Sequence, residues 1–104
     1  MKDNLISKLQ YNLLTIRRLL GWTTQDMGDR LGITKQTVSN LETMKTPMTK
    51  IQYIAIRTII ADEIANRPEE ERKFLTEYVS ILLDDNQEIP ENRRALFLPD
   101  GSLN

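Results

Sequence analysis

Residues 22–42 read WTTQDMGDRLGITKQTVSNLE, and the same helix-start signal occurs twice within them. Thr23 is a residue of N-cap type, and Asp26 stands where a carboxylate can return a hydrogen bond to the cap backbone. Trp22 before the cap and Met27 at the fourth helical position have the spacing of a hydrophobic staple. Met27 and Leu31 give a short buried stripe, and Gly32 stops the helix after about two turns. Thr34 then caps again, with Ile33 and Val38 as a second staple and Val38 and Leu41 as the apolar face. This last helix should end near Thr43. Two short capped helices joined by Gly32-Ile33 form a helix-turn-helix from about Thr23 to Glu42. A turn this short makes the helices cross steeply, so that the second protrudes while the first braces it.

Placed on a wheel at about 100° per residue with Lys35 at zero, Ser39 falls near 40°, Gln36 near 100° and Asn40 near 140°. Val38 and Leu41 fall near 300° and 240°, on the opposite side. One face is apolar; the other offers an amine, two amides and a hydroxyl. Amides pair with adenine and lysine donates to guanine, so this face has the groups that read base edges. An ordinary solvated surface collects the same residue types, and the double cap and tight turn favour the more specific reading.

Outward from this motif, Leu5, Leu9, Leu13, Ile16 and Leu20 recur at helical spacing and predict a first helix ending at Gly21. Thr46-Pro47-Met48 reads as a loop. A fourth helix is expected from near Thr49 to about Ala65, with Ile51, Ile54, Ala55, Ile59 and Ala61 facing inward. Asn66-Arg67-Pro68 breaks it, and Pro68-Glu69-Glu70-Glu71 opens a fifth. The apolar residues of that fifth helix, from Phe74 and Ile81 round to Leu83, cover about half of its wheel, more than one core contact needs. Beyond Asp84 the pattern collapses, and Pro90 and Pro99-Asp100-Gly101 predict an irregular tail, with Leu96-Phe97-Leu98 as a short docked strand or an apolar patch.

The expected fold class is thus all-α, five helices and a tail, divided as 1–66 (the helix-turn-helix domain), 67–84 (a C-terminal helix for dimerisation or partner binding) and 85–104. Cysteine and histidine are both absent, which excludes disulfides, thiolate nucleophiles and zinc sites with those ligands. No catalytic residue, metal or cofactor is expected. The Asp84, Asp85, Glu88 and Glu91 cluster, weighed as a carboxylate site, lacks a companion nucleophile or apolar pocket. No run is long and apolar enough for a membrane span, and Met1-Lys2-Asp3-Asn4 lacks a secretory pattern, so a cytoplasmic location is expected. Residues 1–60 hold nine basic and four acidic residues, a charge of +5, whereas 61–104 hold five and eleven, a charge of −6. A basic half suits a nucleic-acid face, and an acidic half suits a solvated or partner-binding end.

The stretch at 22–42 resembles the Cro and lambda-repressor type of helix-turn-helix protein, the XRE family. The resemblance covers about residues 9 to 60 and rests on Gly21, Leu31-Gly32, Thr34, Val38 and Leu41-Glu42 in order and spacing. It implies a five-helix lambda-repressor-like fold and sequence-specific binding of double-stranded DNA by a transcriptional regulator, with Lys35 to Glu42 as recognition helix. It further implies base contacts from Lys35, Gln36 and Asn40, with Thr37 and Ser39 as weaker candidates. Phosphate contacts would come from Thr23 or Thr24 and from Lys45, and Arg17 with Glu42 matches a structural ion pair of some relatives. Three positions depart from the family pattern: Thr24 stands at the customary glutamine, Gly28 at the customary alanine, and Thr43-Met44-Lys45 replaces Asn-Gly-Lys. The surplus apolar face of the fifth helix suggests a homodimer reading paired half-sites. The alternative is an antitoxin-like or adaptor module whose acidic half, 67–104, binds a protein partner.

Overall fold

Threonines 23, 34 and 49 each start a helix by one device, a hydroxyl that accepts the backbone N–H of the third residue on, namely Asp26, Thr37 and Gln52. At Thr23 and Thr49 the bond is returned, because the side chains of Asp26 and Gln52 accept the N–H of the cap residue, completing two capping boxes. The computed structural model describes residues 3–84, and among them every regular element is an α-helix. In order these are α1 (Asp3–Leu19), α2 (Thr24–Leu31), α3 (Lys35–Glu42), α4 (Lys50–Ala65) and α5 (Glu69–Leu82). The expected all-α architecture and its five helices are present. None of the described helices is long and apolar enough to cross a membrane.

The stops are as regular as the starts. After α1, Gly21 takes a φ of 76°, with its N–H on the Arg18 carbonyl and that of Trp22 on the Arg17 carbonyl. After α2, Gly32 takes a φ of 75° and Ile33 donates to Gly28. Both close their helices through a left-handed residue that glycine occupies at least cost. Gly28 has a separate reason to be glycine: a Cβ there would lie 2.6 Å from the Ile33 carbonyl oxygen. The α2–α3 turn folds back onto α2 more closely than any side chain permits, which sets the spacing of the two helices.

Helix α1 is the centre of the molecule and packs against α3, α4 and α5, while α2 packs on α3 and α4. Leu9, Leu13, Ile16 and Leu20 reach the core as their spacing predicts, joined by Trp22, Met27, Val38 and Leu41 from the two short helices. Yet α1 is not a helix with one wet side. Lys8, Gln10, Asn12 and Arg17 are buried as well. Each is held by groups from elsewhere in the fold: Lys8 donates to the Asp84 carbonyl, and Asn12 to the Leu82 carbonyl at 3.1 Å. Gln10 and Arg17 reach the opposite end, around α3.

The inward face expected for α4 is only partly present, because the helix is turned so that other residues lead into the core. Tyr53, Ile56, Ile60 and Ile64 are buried, whereas Ile51 is 80% exposed, Ile54 is 50% exposed and Ala61 lies at the surface. Ala55 and Ile59 are half-buried. The buried four fall within about 80° of one another on the wheel, a single stripe of the usual width. Because α4 carries isoleucine or alanine on nearly every side, apolar spacing alone did not fix its phase, and Tyr53 went uncounted. In α5, Leu75 and Val79 enter the core while Phe74, Tyr78 and Ile81 stay exposed, so the surplus apolar face is real. The tail expectations, including Leu96-Phe97-Leu98, lie outside the described residues.

The Arg17–Glu42 pair ties α1 to α3. Arg17 Nε meets Glu42 Oε2 at 2.5 Å and Nη2 meets Oε1 at 3.0 Å, while Nη1 donates to the Trp22 carbonyl at 2.8 Å. Both side chains are almost completely buried. Removing one member strands a charge, which costs about 3–5 kcal/mol, whereas replacing both with apolar groups of similar volume is often neutral. Glu42→Ala should therefore lower Tm by at least about 12 °C for a chain of this size. Arg17→Met/Glu42→Leu should restore most of that stability, as read by circular dichroism melts. A single mutant that melts like wild type would show that the pair contributes nothing.

Candidate nucleic-acid interface

Helix α3 is short enough that its two sides separate cleanly. Val38, Leu41 and Glu42 are buried; Lys35 and Gln36 are exposed, and Thr37, Ser39 and Asn40 are half-buried at the rim. The five residues expected to read bases thus lie on α3, and Lys35, Gln36, Ser39 and Asn40 share its outward side. Gln36 Nε2 donates to Asn40 Oδ1 at 3.0 Å, one helical turn on. That bond leaves Gln36 with its carbonyl oxygen and a second N–H, and leaves Asn40 with both amide hydrogens. The two amides therefore present donors and an acceptor from a held geometry, which lowers the ordering cost of meeting a partner. Thr37 is differently placed: its backbone N–H and hydroxyl both engage the Thr34 hydroxyl, so its role is to close the cap.

At the other end of α3 the chain turns through Met44, which takes a φ of 64°. Lys45 N–H bonds to the Asn40 carbonyl at 2.9 Å and Met44 N–H to the Leu41 carbonyl at 3.3 Å, the pattern of a Schellman turn. The loop therefore keeps the conformation that a glycine would favour, with a methionine in the strained position. Gln10, reaching across from α1, holds it there. Its Nε2 donates to the carbonyls of Leu41 (3.0 Å) and Thr46 (2.7 Å), and its Oε1 accepts the Met48 N–H at 3.0 Å. Lys45 is exposed on this clamped loop. The sequence reading missed Gln10. The available signal was an amide among closely spaced apolar residues of α1, too long to be idle if buried.

The N-terminus of α2 is more guarded. Thr23 and Asp26 are occupied with each other: the Thr23 hydroxyl accepts the Asp26 N–H at 3.0 Å, and Asp26 Oδ2 accepts the Thr23 N–H at 2.9 Å. The Thr23 backbone bond, then its side chain, hold the Asp26 carboxyl below its ordinary value. The backbone N–H groups of Thr24 and Gln25 remain without a partner inside the helix, as the first turn requires. An anion could meet them there, against the charge of Asp26. Asp29 is already engaged by Gln25 Nε2 at 2.8 Å. Arg30 stacks its guanidinium 4.5 Å from the Trp22 ring centroid and pairs with Glu63 at 3.4 Å. It therefore braces α2 against α4 from a surface position.

No protein-family model, curated protein or solved structure matches this chain. Among the described residues no group of histidine, cysteine or carboxylate side chains is placed to hold a metal ion. Of the acidic cluster, Asp85, Glu88 and Glu91 lie outside the described residues, and Asp84 follows the end of α5.

Left-handed backbone costs a non-glycine residue about 1–2 kcal/mol, partly offset by the greater freedom glycine has when unfolded. Met44→Gly should therefore stabilise the protein by up to about 1 kcal/mol, raising Tm by roughly 4–8 °C. Thermal melts of the pair of proteins check this. A lower Tm for the glycine variant would mean that Met44 packing outweighs the strain.

Proposed function

We propose that this chain binds double-stranded DNA sequence-specifically as a transcriptional regulator, with α3 lying in the major groove. The observation that carries the proposal is the α2–α3 pair: a turn too tight for any side chain at Gly28 presents a helix whose outward side is wholly polar. B-DNA's major groove, about 12 Å wide, admits such a helix. In this reading Gln36 and Asn40 address base edges as a coupled pair, Lys35 donates to guanine or to a phosphate, and Ser39 fills between them. Thr37 acts by holding the cap. Phosphates are met by Lys45 on its clamped loop and, against the charge of Asp26, by the N–H groups of Thr24 and Gln25 and the hydroxyls of Thr23 and Thr24. Arg17 and Glu42 support α3 without touching DNA. No cofactor is invoked, and the location that fits is the cytoplasm.

Fluorescence anisotropy on a mixed-sequence duplex across a salt series tests the proposal. Wild type should bind with a log–log salt slope of several units, about 0.9 for each phosphate neutralised. Lys45→Ala should reduce that slope by about one and weaken binding evenly across sequences. Lys35→Ala/Gln36→Ala/Asn40→Ala should flatten the preference for a selected operator by about 1–3 kcal/mol for each base pair no longer read. Absence of binding at low salt would overturn the proposal and favour a protein partner for the acidic half.

A two-fold dimer is the usual means by which such modules read half-sites about 34 Å apart. Phe74, Tyr78 and Ile81 are spaced to form one stripe on α5, and they are 56%, 39% and 52% exposed, with the two rings 5.8 Å apart. We place the dimer contact on this stripe. Light scattering after size exclusion should return the mass of a dimer for wild type and of a monomer for Tyr78→Glu/Ile81→Glu. A monomeric wild type at tens of micromolar would remove the dimer.

A further inference from the structure

On the opposite flank of α5 from the aromatic stripe, α4 and α5 leave an open groove of about 390 Å³ between them. Its floor is apolar, formed by Ile60 and Ile64 of α4 and by Val79 and Leu83 of α5. Two exposed arginines line it, Arg57 and Arg72. Arg57 stacks over the Tyr53 ring at 5.4 Å, and neither guanidinium has a carboxylate within ion-pairing distance among the described residues. Arg17, Arg30 and Arg67, by contrast, all have such partners. An apolar trough lined by two cations with no carboxylate partner among the described residues suits a segment that carries an apolar run and, some residues before it, a cluster of acids.

The chain itself supplies one. We propose that the groove is the docking site of this chain's own C-terminal segment, with Leu96-Phe97-Leu98 in the trough and the preceding acids against Arg57 and Arg72. Leu83 both lines the groove and ends α5, so the segment starts at the mouth of its own site. Residues 84–92 carry Asp84, Asp85, Glu88 and Glu91 and no basic residue, and Arg93 and Arg94 stand between these acids and Leu96. The span from Arg72 to Leu83 along α5 is about 16 Å at helical rise. Twelve extended residues from Asp84 reach up to about 40 Å, enough to leave α5, turn and lie along it. Attachment also sets an effective concentration of about millimolar, which favours this occupant over a second copy at ordinary protein concentrations. The site is separate from the outward face of α3 and does not depend on what α3 binds.

The chain contains no cysteine, so one introduced thiol is unique. A nitroxide on Ala61→Cys, in the groove of the full-length protein, should broaden the amide resonances of residues 95–99 in the nitrogen-15 spectrum. The effect should be unchanged on dilution and absent when labelled, isotope-free chain is mixed with unlabelled nitrogen-15 chain. Arg57→Glu/Arg72→Glu should remove it while leaving the helical circular dichroism in place. A label-free arm guards against a nitroxide that blocks the groove: Phe97→Ser should shift the amides of Ala61, Thr76 and Ser80. Broadening confined to the mixed sample would assign the groove to a second copy and overturn the proposal. Neither broadening nor shifts would overturn it outright.

Discussion

A guanidinium that has left water must have its charge met in place, and the partners Arg17 finds decide how the two short helices of this fold are arranged. The same side chain takes both oxygens of Glu42 on α3 and the carbonyl of Trp22, just before the cap of α2. One residue of the central helix therefore fixes the far end of one short helix and the entrance of the other. Neither short helix would stand alone; each is far below the dozen or so residues that an isolated helix needs in water. Their orientation must come from tertiary contacts, and a bidentate pair specifies direction as well as distance. Apolar packing of Met27, Val38 and Leu41 supplies attraction but tolerates rotation. The ion pair does not.

Gln10 extends the same logic to the loop after α3. Three backbone groups of residues 41–48 turn inward where water is scarce, and each unsatisfied one would cost about 1–3 kcal/mol. A single buried amide satisfies all three. The clamp also explains how Met44 is held in a left-handed conformation without glycine: the strain is local, whereas the hydrogen bonds that impose it come from both α3 and α1. Asn12 and Lys8 do the equivalent work at the opposite end, donating to the last carbonyls around α5. The polar residues of α1 thus join the helix-turn-helix to the C-terminal helix through one rod.

What could be read from the sequence follows from this division of labour. Caps and stops are local chemistry, so Thr23, Thr34, Gly21 and Gly32 announced their helices within a residue or so. The outward side of α3 was legible because eight residues with two apolar positions admit only one buried face. The Arg17–Glu42 pair was found through family resemblance rather than through any pattern in the residues. Phase in α4 was not legible, since a helix apolar all round has no preferred side until its neighbours choose one. Nor was the burial of α1, because amphipathic spacing assumes that a polar residue faces water. Gln10, Asn12 and Lys8 each break that assumption by reaching a backbone group that only the tertiary fold brings near.

The guarded N-terminus of α2 changes where DNA would be anchored in the proposed complex. A helix start carries about half a positive charge, and an unopposed one attracts phosphate. Here Asp26 places a full negative charge over that position, and the Thr23 bonds favour its charged form, holding its pKa below the ordinary value. The capping box stabilises α2 and weakens it as an anion site by the same contacts. Lys35 at the start of α3 and Lys45 just past its end would then be the cationic anchors flanking the proposed recognition surface. Two anchors at opposite ends of one helix fix its angle in a groove better than a single anchor at a neighbouring helix would. The second of them stands on the loop that Gln10 and the Met44 turn hold in shape. In the proposed complex the buried amide of α1, remote from the DNA, would therefore govern the geometry of a phosphate contact through the backbone it satisfies.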